Sequence, residues 1–245
     1  MRIPAFRRAP AEYDSEFMET MASEYLERTP WTELRLGAIL ELVEPQPGDR
    51  ILDLGCAAGA LTHFLASHGA DVVGVDLEPR AIEKARSLFP GLRFAQASVA
   101  ALPFGPESFD KAVAGDLVEH LDDETARAML AELRRVLVPG GTFSIYTPNP
   151  RHLIERLKAR NILLAQNPTH IGLRTTDQLA EMLAAQGFEV DRLTWRPSFF
   201  RGLKLVERLL GRWVESFRYR LCVRAVKPSR RPKTIGTASA SMTNA

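Results

Sequence analysis

Cysteine is scarce in this 245-residue chain, which has only Cys56 and Cys222. Two thiols without the spacing of a zinc site or a disulfide framework argue against structural metal and fit a reducing compartment. Long apolar runs are missing as well. No stretch offers the roughly 18 uncharged residues of a membrane-spanning helix. The opening "MRIPAFRRAPAEY" is basic but lacks the apolar core of a secretory leader. The expected location is cytoplasmic. No internal repeat is found.

What is present is an ordinary globular composition, 45% hydrophobic and 25% charged, enough for one sizeable core and one domain. The charge is unevenly placed. Residues 1–195 carry 20 basic and 28 acidic side chains, whereas residues 196–245 carry 12 basic and 2 acidic. Such asymmetry marks either an anionic partner or a solvated basic tail.

Residues 12–44 read as two helices broken at "TPW" by Pro30, and "PQPGD" closes the segment. Strand and helix patterns then alternate through "RILDL", "GALTHFLASH", "DVVGVD", "PRAIEKARSLF", "LRFAQA" and "FDKAVAG". Apolar strands separated by helix-length segments predict βαβ units and a doubly wound, seven-stranded, mostly parallel sheet. Asp122 or Asp123 caps the next helix and "PGG" ends it; "TFSIYTP" follows as a strand. Thr175 and Gln178 form a capping box for the helix that Gly187 ends, and "FEVDRLTW" and "YRLCVRAV" supply the last strands. The predicted organisation is an N-terminal helical segment, 1–45, that covers the site; an α/β domain, 46–227, with insertions at 151–168 and 198–217; and a disordered basic tail, 228–245.

The segment "ILDLGCAAGALTHFLA" joins the first strand to a helix through Gly55 and Gly59. Such a turn points backbone N–H groups and a positive helix end into a cleft at the strands' carboxyl edge. Twenty-three residues after Asp53 the second strand ends at Asp76, placed to accept hydrogen bonds from two ribose hydroxyls. This pairing describes a nucleoside site that would serve NAD, FAD or S-adenosylmethionine. The dinucleotide fingerprint finds Gly55-x-Ala57-x-x-Ala60 in place of three glycines, and Asp53 suits a positively charged amino group better than a pyrophosphate. No Tyr-x-x-x-Lys pair occurs, which disfavours an NAD(P)-dependent oxidoreductase of the short-chain type.

The ordered set "LDLGCAAG", "GVDLEP", "LPF", "FD", "VEHL", "LVPGG" and "TPN", with "HIGLRTTDQLAEMLAAQGFEV" beyond it, resembles the class I S-adenosylmethionine-dependent methyltransferases. The likeness is to their small-molecule branch, which includes ubiquinone-type O-methyltransferases. The resemblance implies a Rossmann-like fold and S-adenosylmethionine as cofactor. Asp53, Gly55 and Gly59 would surround its methionine part, Asp76 its ribose and Leu77 its adenine, with Cys56, Ser98, Val99 and Asp116 completing the lining. Two departures stand out. Ala57 replaces the usual middle glycine, acceptable if its backbone keeps a negative φ, and Ser98 replaces an aspartate beside the adenine.

Methyl transfer from a sulfonium requires alignment and exclusion of water, with a base only for a weakly acidic nucleophile. His120, after the fourth strand, is the first candidate base, and His170 is expected to approach from the opposite side. Asp116 and Glu119, read as carboxylates of ordinary pKa, are assigned to loop capping. Asp110 is read as structural, and His63 and His68 as surface or packing residues. Tyr25 is a packing residue that could also cover the cofactor.

No Asn/Asp-Pro-Pro-aromatic tetrapeptide follows strand four and no aromatics interleave the basic tail, so nucleic acid is a poor substrate. "FFRGLKLVERLLGRWVESF" repeats apolar residues every three or four positions, with basic ones between. The favoured reading packs that apolar stripe on the sheet or makes a lid; the other seats the enzyme on an anionic membrane through 199–217 to reach a lipid-linked acceptor. Methyl transfer to a small-molecule or lipid-linked acceptor, more readily at oxygen than nitrogen, is the expected activity. An oxidoreductase and a noncatalytic cofactor-binding protein are the alternatives.

Overall fold

A computed structural model describes residue 27 and residues 29–162, 167–198 and 201–229. The expectations for the first N-terminal helix, Tyr25, Phe199 and nearly all of the basic tail lie outside the described residues.

The chain runs α1 (Pro30–Val43), β1 (Arg50–Leu54), α2 (Ala60–Ala66), β2 (Asp71–Asp76), α3 (Pro79–Leu88), β3 (Arg93–Gln96) and β4 (Phe109–Gly115). It continues α4 (Asp123–Val136), β5 (Leu137–Pro148), α5 (Leu153–Ala159), α6 (Thr176–Ala185), β6 (Glu189–Arg196), α7 (Arg201–Leu210) and β7 (Arg220–Val226). Local chemistry sets the boundaries. Pro30 stands in the first turn of α1, where its missing N–H is no loss, and the Thr29 hydroxyl accepts from the Thr32 N–H. Asp122 caps α4 through the Thr125 N–H at 2.7 Å, and the Thr175–Gln178 capping box opens α6. Helix α4 ends at Val136, one residue before strand β5, so "PGG" lies inside the strand and not at the helix end. The 199–217 segment is not one helix: α7 stops at Leu210, and a short 3-10 turn spans Glu215–Phe217.

All seven strands form one sheet in the order β3-β2-β1-β4-β5-β7-β6, with β7 antiparallel to both neighbours. Residues of each strand alternate between the faces. On β4, Val113 joins Leu36, Ile39, Leu61 and Leu65 of α1 and α2, whereas Ala112 and Ala114 join Met129, Leu130 and Leu133 of α4 and Leu179 and Leu183 of α6. Helices therefore cover both faces. Strand order reverses between β1 and β4, and the turns leaving β1, β2 and β4 meet over that point at the carboxyl edge. No helix among the described residues is long and apolar enough to cross a membrane.

Candidate active site

Asp53, near the end of β1, is fully buried and accepts the Thr62 hydroxyl at 2.7 Å. Thr62 reaches it because Gly74, the register partner of Asp53 on β2, has no side chain; a Cβ there would stand 2.7 Å from the Thr62 hydroxyl oxygen. Burial pushes the Asp53 carboxyl up to about 7, against the opposing pull of that hydrogen bond. At the end of β2, the Asp76 carboxylate accepts the N–H of Ala57 at 2.9 Å and of Glu78 at 3.0 Å, while burial raises its pKa. A carboxylate has about four acceptor directions, so capacity remains for a ligand's hydroxyl.

Leu77, next along the edge, is 68% exposed, an apolar surface beside a polar anchor. Cys56 and Val99 are buried, and the Ser98 hydroxyl accepts the Ala100 N–H at 3.2 Å. The turn itself is left-handed at Gly55 (φ 67°) and Gly59 (φ 83°), and also at Ala57 (φ 46°). The negative φ required of Ala57 is therefore not met. Its left-handed conformation costs about 1–2 kcal/mol, and the charge-assisted bond to Asp76 offsets part of that.

A second cluster stands at the end of β4. Asp116 (φ 57°) accepts Arg35 Nε of α1 at 2.5 Å and Arg220 Nη1 of β7 at 3.0 Å. Burial alone would raise its pKa, but the Arg220 and Arg35 guanidiniums together outweigh it and hold the carboxyl low. Both guanidiniums lie over the Tyr146 ring, at 5.9 Å for Arg35 and 5.7 Å for Arg220. Glu119 is buried and its carboxylate accepts the Thr147 hydroxyl at 3.0 Å, while burial followed by the Asp116 charge pushes its pKa up. Asp116 is held by two guanidiniums, and Glu119 is not an ordinary carboxylate, contrary to the sequence expectation.

His120 and His170 do not approach from opposite sides. Their rings meet edge to face with centroids 4.9 Å apart. His120 Nδ1 lies 3.1 Å from the Thr169 carbonyl, which can only accept, so Nδ1 carries the proton and Nε2 keeps its lone pair. Burial lowers the pKa of His120; burial and then the His120 ring lower that of His170 to about 4. His170 Nδ1 is buried without a hydrogen-bond partner among the described residues. Glu119, His120 and His170 each offer one ligand atom, all within 4.8 Å of one another, a donor set that can hold a cation.

The two loops are held together by Arg174, whose guanidinium donates to the carbonyls of Val118, Leu121 and Gly172 and to Asp123. Gly172 is obligatory at this crossing, since a Cβ would fall 1.9 Å from the Leu121 carbonyl oxygen.

Asp53, Asp76 and the glycine turn thus gather at the β1 and β2 ends, and the histidines with Glu119 and Asp116 at the β4 end. Reading the sequence alone missed Arg35, Arg174, Arg220, Thr62 and Thr147. Arg35 had a signal: it sits among the buried positions Thr32, Leu36 and Ile39 of α1, where a charge needs a buried partner.

A methyltransferase-domain family model matches residues 51–141. An O-methyltransferase of Aspergillus nomiae is 31% identical over 177 residues, 66% of this chain and 74% of that protein. The ubiquinone biosynthesis O-methyltransferase of Paracidovorax citrulli is 27% identical over 183 residues, 66% of this chain and 76% of that one. The chain spans 50% to 61% of the length of several other curated relatives. Among solved structures, Haemonchus contortus phosphoethanolamine N-methyltransferase 2, in complex with S-adenosyl-L-methionine, superposes with a TM-score of 0.66 at 19% identity, covering 90% of this chain and 59% of that one, which shows the shared fold. By sequence, sheet topology and motif order, the chain belongs to the class I S-adenosylmethionine-dependent methyltransferase family.

Proposed function

We propose that this chain transfers a methyl group from S-adenosylmethionine to an oxygen of a small-molecule or lipid-linked acceptor. The observation that carries the reading is the pairing, across the β1/β4 reversal, of a carboxylate with open acceptor capacity and a half-buried pair of neutral histidines. The residues at the β1 and β2 ends fit the cofactor. Asp76 accepts the ribose hydroxyls, exposed Leu77 and Ser98 meet the adenine, and Asp53 with the turn from Gly55 through Cys56 to Gly59 receives the methionine end. Buried Val99 backs this wall, and Asp116 contributes from the β4 end by holding Arg35 and Arg220 there. When bound, the cofactor supplies an electrophilic methyl on a sulfonium.

His120 Nε2 takes the acceptor's proton, Thr169 fixes its tautomer, and His170 keeps water away from its face. With its lowered pKa, His120 is neutral at pH 7 and ready to accept that proton. Relatives named as O-methyltransferases support oxygen as the target. A second reading rests on the 4.8 Å ligand set: Glu119, His120 and His170 hold a divalent cation that acidifies the acceptor hydroxyl.

Incubation with methyl-labelled S-adenosylmethionine and a panel of phenols, catechols and prenylated phenols tests the reading. Labelled O-methyl products, lost in His120→Gln, support it, and chelator sensitivity restored by Mn²⁺ or Zn²⁺ selects the cation version. Cofactor binding without turnover on any acceptor would leave a noncatalytic binding protein.

A further inference from the structure

Helix α7 is seated by polar and small residues. Glu207 is fully buried and its carboxylate accepts His152 Nε2 at 2.9 Å, while its other oxygen accepts the Ser198 N–H. His152 Nδ1 itself accepts the Ile154 N–H, which places the ring proton on Nε2 facing Glu207. Gly211, just past the helix, lies beneath the Trp195 ring, where a Cβ would stand 2.5 Å from it.

The outward arc is the reverse of what a soluble surface needs. Leu205 and Leu209 are 63% and 64% exposed and Trp213 is 85% exposed, with Val206, Leu210 and Val214 exposed beside them. Of the stripe expected to pack on the sheet, Val206, Leu210 and Trp213 face out, Leu203 and Phe217 are half-buried, and Phe199 lies outside the described residues. Arg208 and Arg212 are exposed along its border and Lys204 lies one turn before them. The acids of residues 196–245 are Glu207, which is buried, and Glu215, which bonds Arg151 at 2.6 Å. The face is apolar at its centre and positive at its rim.

We infer that this face docks on an anionic lipid bilayer, its leucines and Trp213 entering the headgroup boundary and its arginines meeting lipid phosphates. Nucleic acid would leave the leucines without a role. His152, which caps α5, holds Glu207 beneath the docking face.

The test is co-sedimentation of the full chain with vesicles of phosphatidylcholine alone or mixed equally with phosphatidylglycerol, at low and high salt. Tryptophan emission and calorimetric binding of S-adenosylhomocysteine are read on the same samples. Binding to the mixed vesicles should be roughly tenfold or more tighter than to phosphatidylcholine, weaken with salt, and shift emission to the blue in wild type but not in Trp213→Phe. Leu205→Glu with Leu209→Glu should abolish it and leave homocysteine-product binding intact, which separates failure of docking from failure of the cofactor site. Absence of vesicle binding at low salt would overturn the inference. So would binding unchanged by the leucine substitutions, or a leucine-dependent dimer in sedimentation.

Discussion

The candidate site has two halves built by different means. The proposed nucleoside half, at the ends of β1 and β2, is local: Asp53, Ala57, Thr62 and Asp76 lie within one βαβ unit, where Asp53 bonds Thr62 and Asp76 bonds Ala57. The other half, at the end of β4, is assembled from distant chain. Arg35 of α1 and Arg220 of β7 converge on Asp116, and Arg174 ties the His170 loop to the His120 loop. A half made of neighbouring residues tolerates little change in the cofactor it fits. A half made of separate insertions can change its acceptor while the sheet below stays the same.

The largest separation between the halves is expected from His120→Ala. Turnover should fall by about 10²–10⁴-fold, while affinity for S-adenosylhomocysteine stays within about twofold of wild type. Single-turnover rates beside calorimetric titration check it. An equal loss of both would mean that the two halves are one unit.

Asp76→Ala sharpens the contrast from the other side. Removing an acceptor of two hydroxyls should weaken homocysteine-product binding by about 100-fold or more, at about 1.5–3 kcal/mol for each hydrogen bond to a charged group. Unfolding free energy should also fall, by about 1–3 kcal/mol, because the Ala57 and Glu78 N–H groups lose their acceptor.

Gly172→Ala attacks the crossing of the two distant loops. Overpacking against the Leu121 carbonyl should cost about 1–3 kcal/mol in denaturant unfolding. Activity should fall further than cofactor affinity.

The smallest effect is one of pH. His120 and His170 have folded-state pKa values below 6.5, so their stabilising contribution is complete above that pH and is lost as pH falls through about 4, the value for His170. Asp53 works in the opposite sense: raised to about 7, its contribution is complete below 3.8 and is lost as pH rises through 7. Thermal midpoints of wild type minus those of His170→Gln isolate the histidine part, and the difference should shrink as pH drops from 6.5 to 4.

The two halves also differ in how far the sequence disclosed them. The alternation of strands and helices, the glycine turn and Asp76 were legible because each depends on residues close in sequence: a strand end, a turn, a cap. Even there the left-handed Ala57 escaped, since its φ is set by a bond to Asp76 on the next strand. At the β4 end His120 and His170 were picked out singly, but their contact was not. It depends on Arg174 and Gly172 fixing a crossing between loops some 50 residues apart. Helix α7 misled for a related reason. Its periodicity is real, but Glu207 finds a buried partner in His152, and that pairing turns the leucines outward. Periodicity reports which residues share a face; which face goes inward depends on what it meets.

The central claim is that the β1 and β2 ends hold the nucleoside of a methyl donor. Calorimetric titration of S-adenosylhomocysteine and of NADH into the purified chain and into Asp76→Ala tests it most directly. The account predicts one-to-one binding of the homocysteine compound alone, lost in the variant. Binding of NADH in its place, or of the homocysteine compound with undiminished affinity in Asp76→Ala, would contradict it.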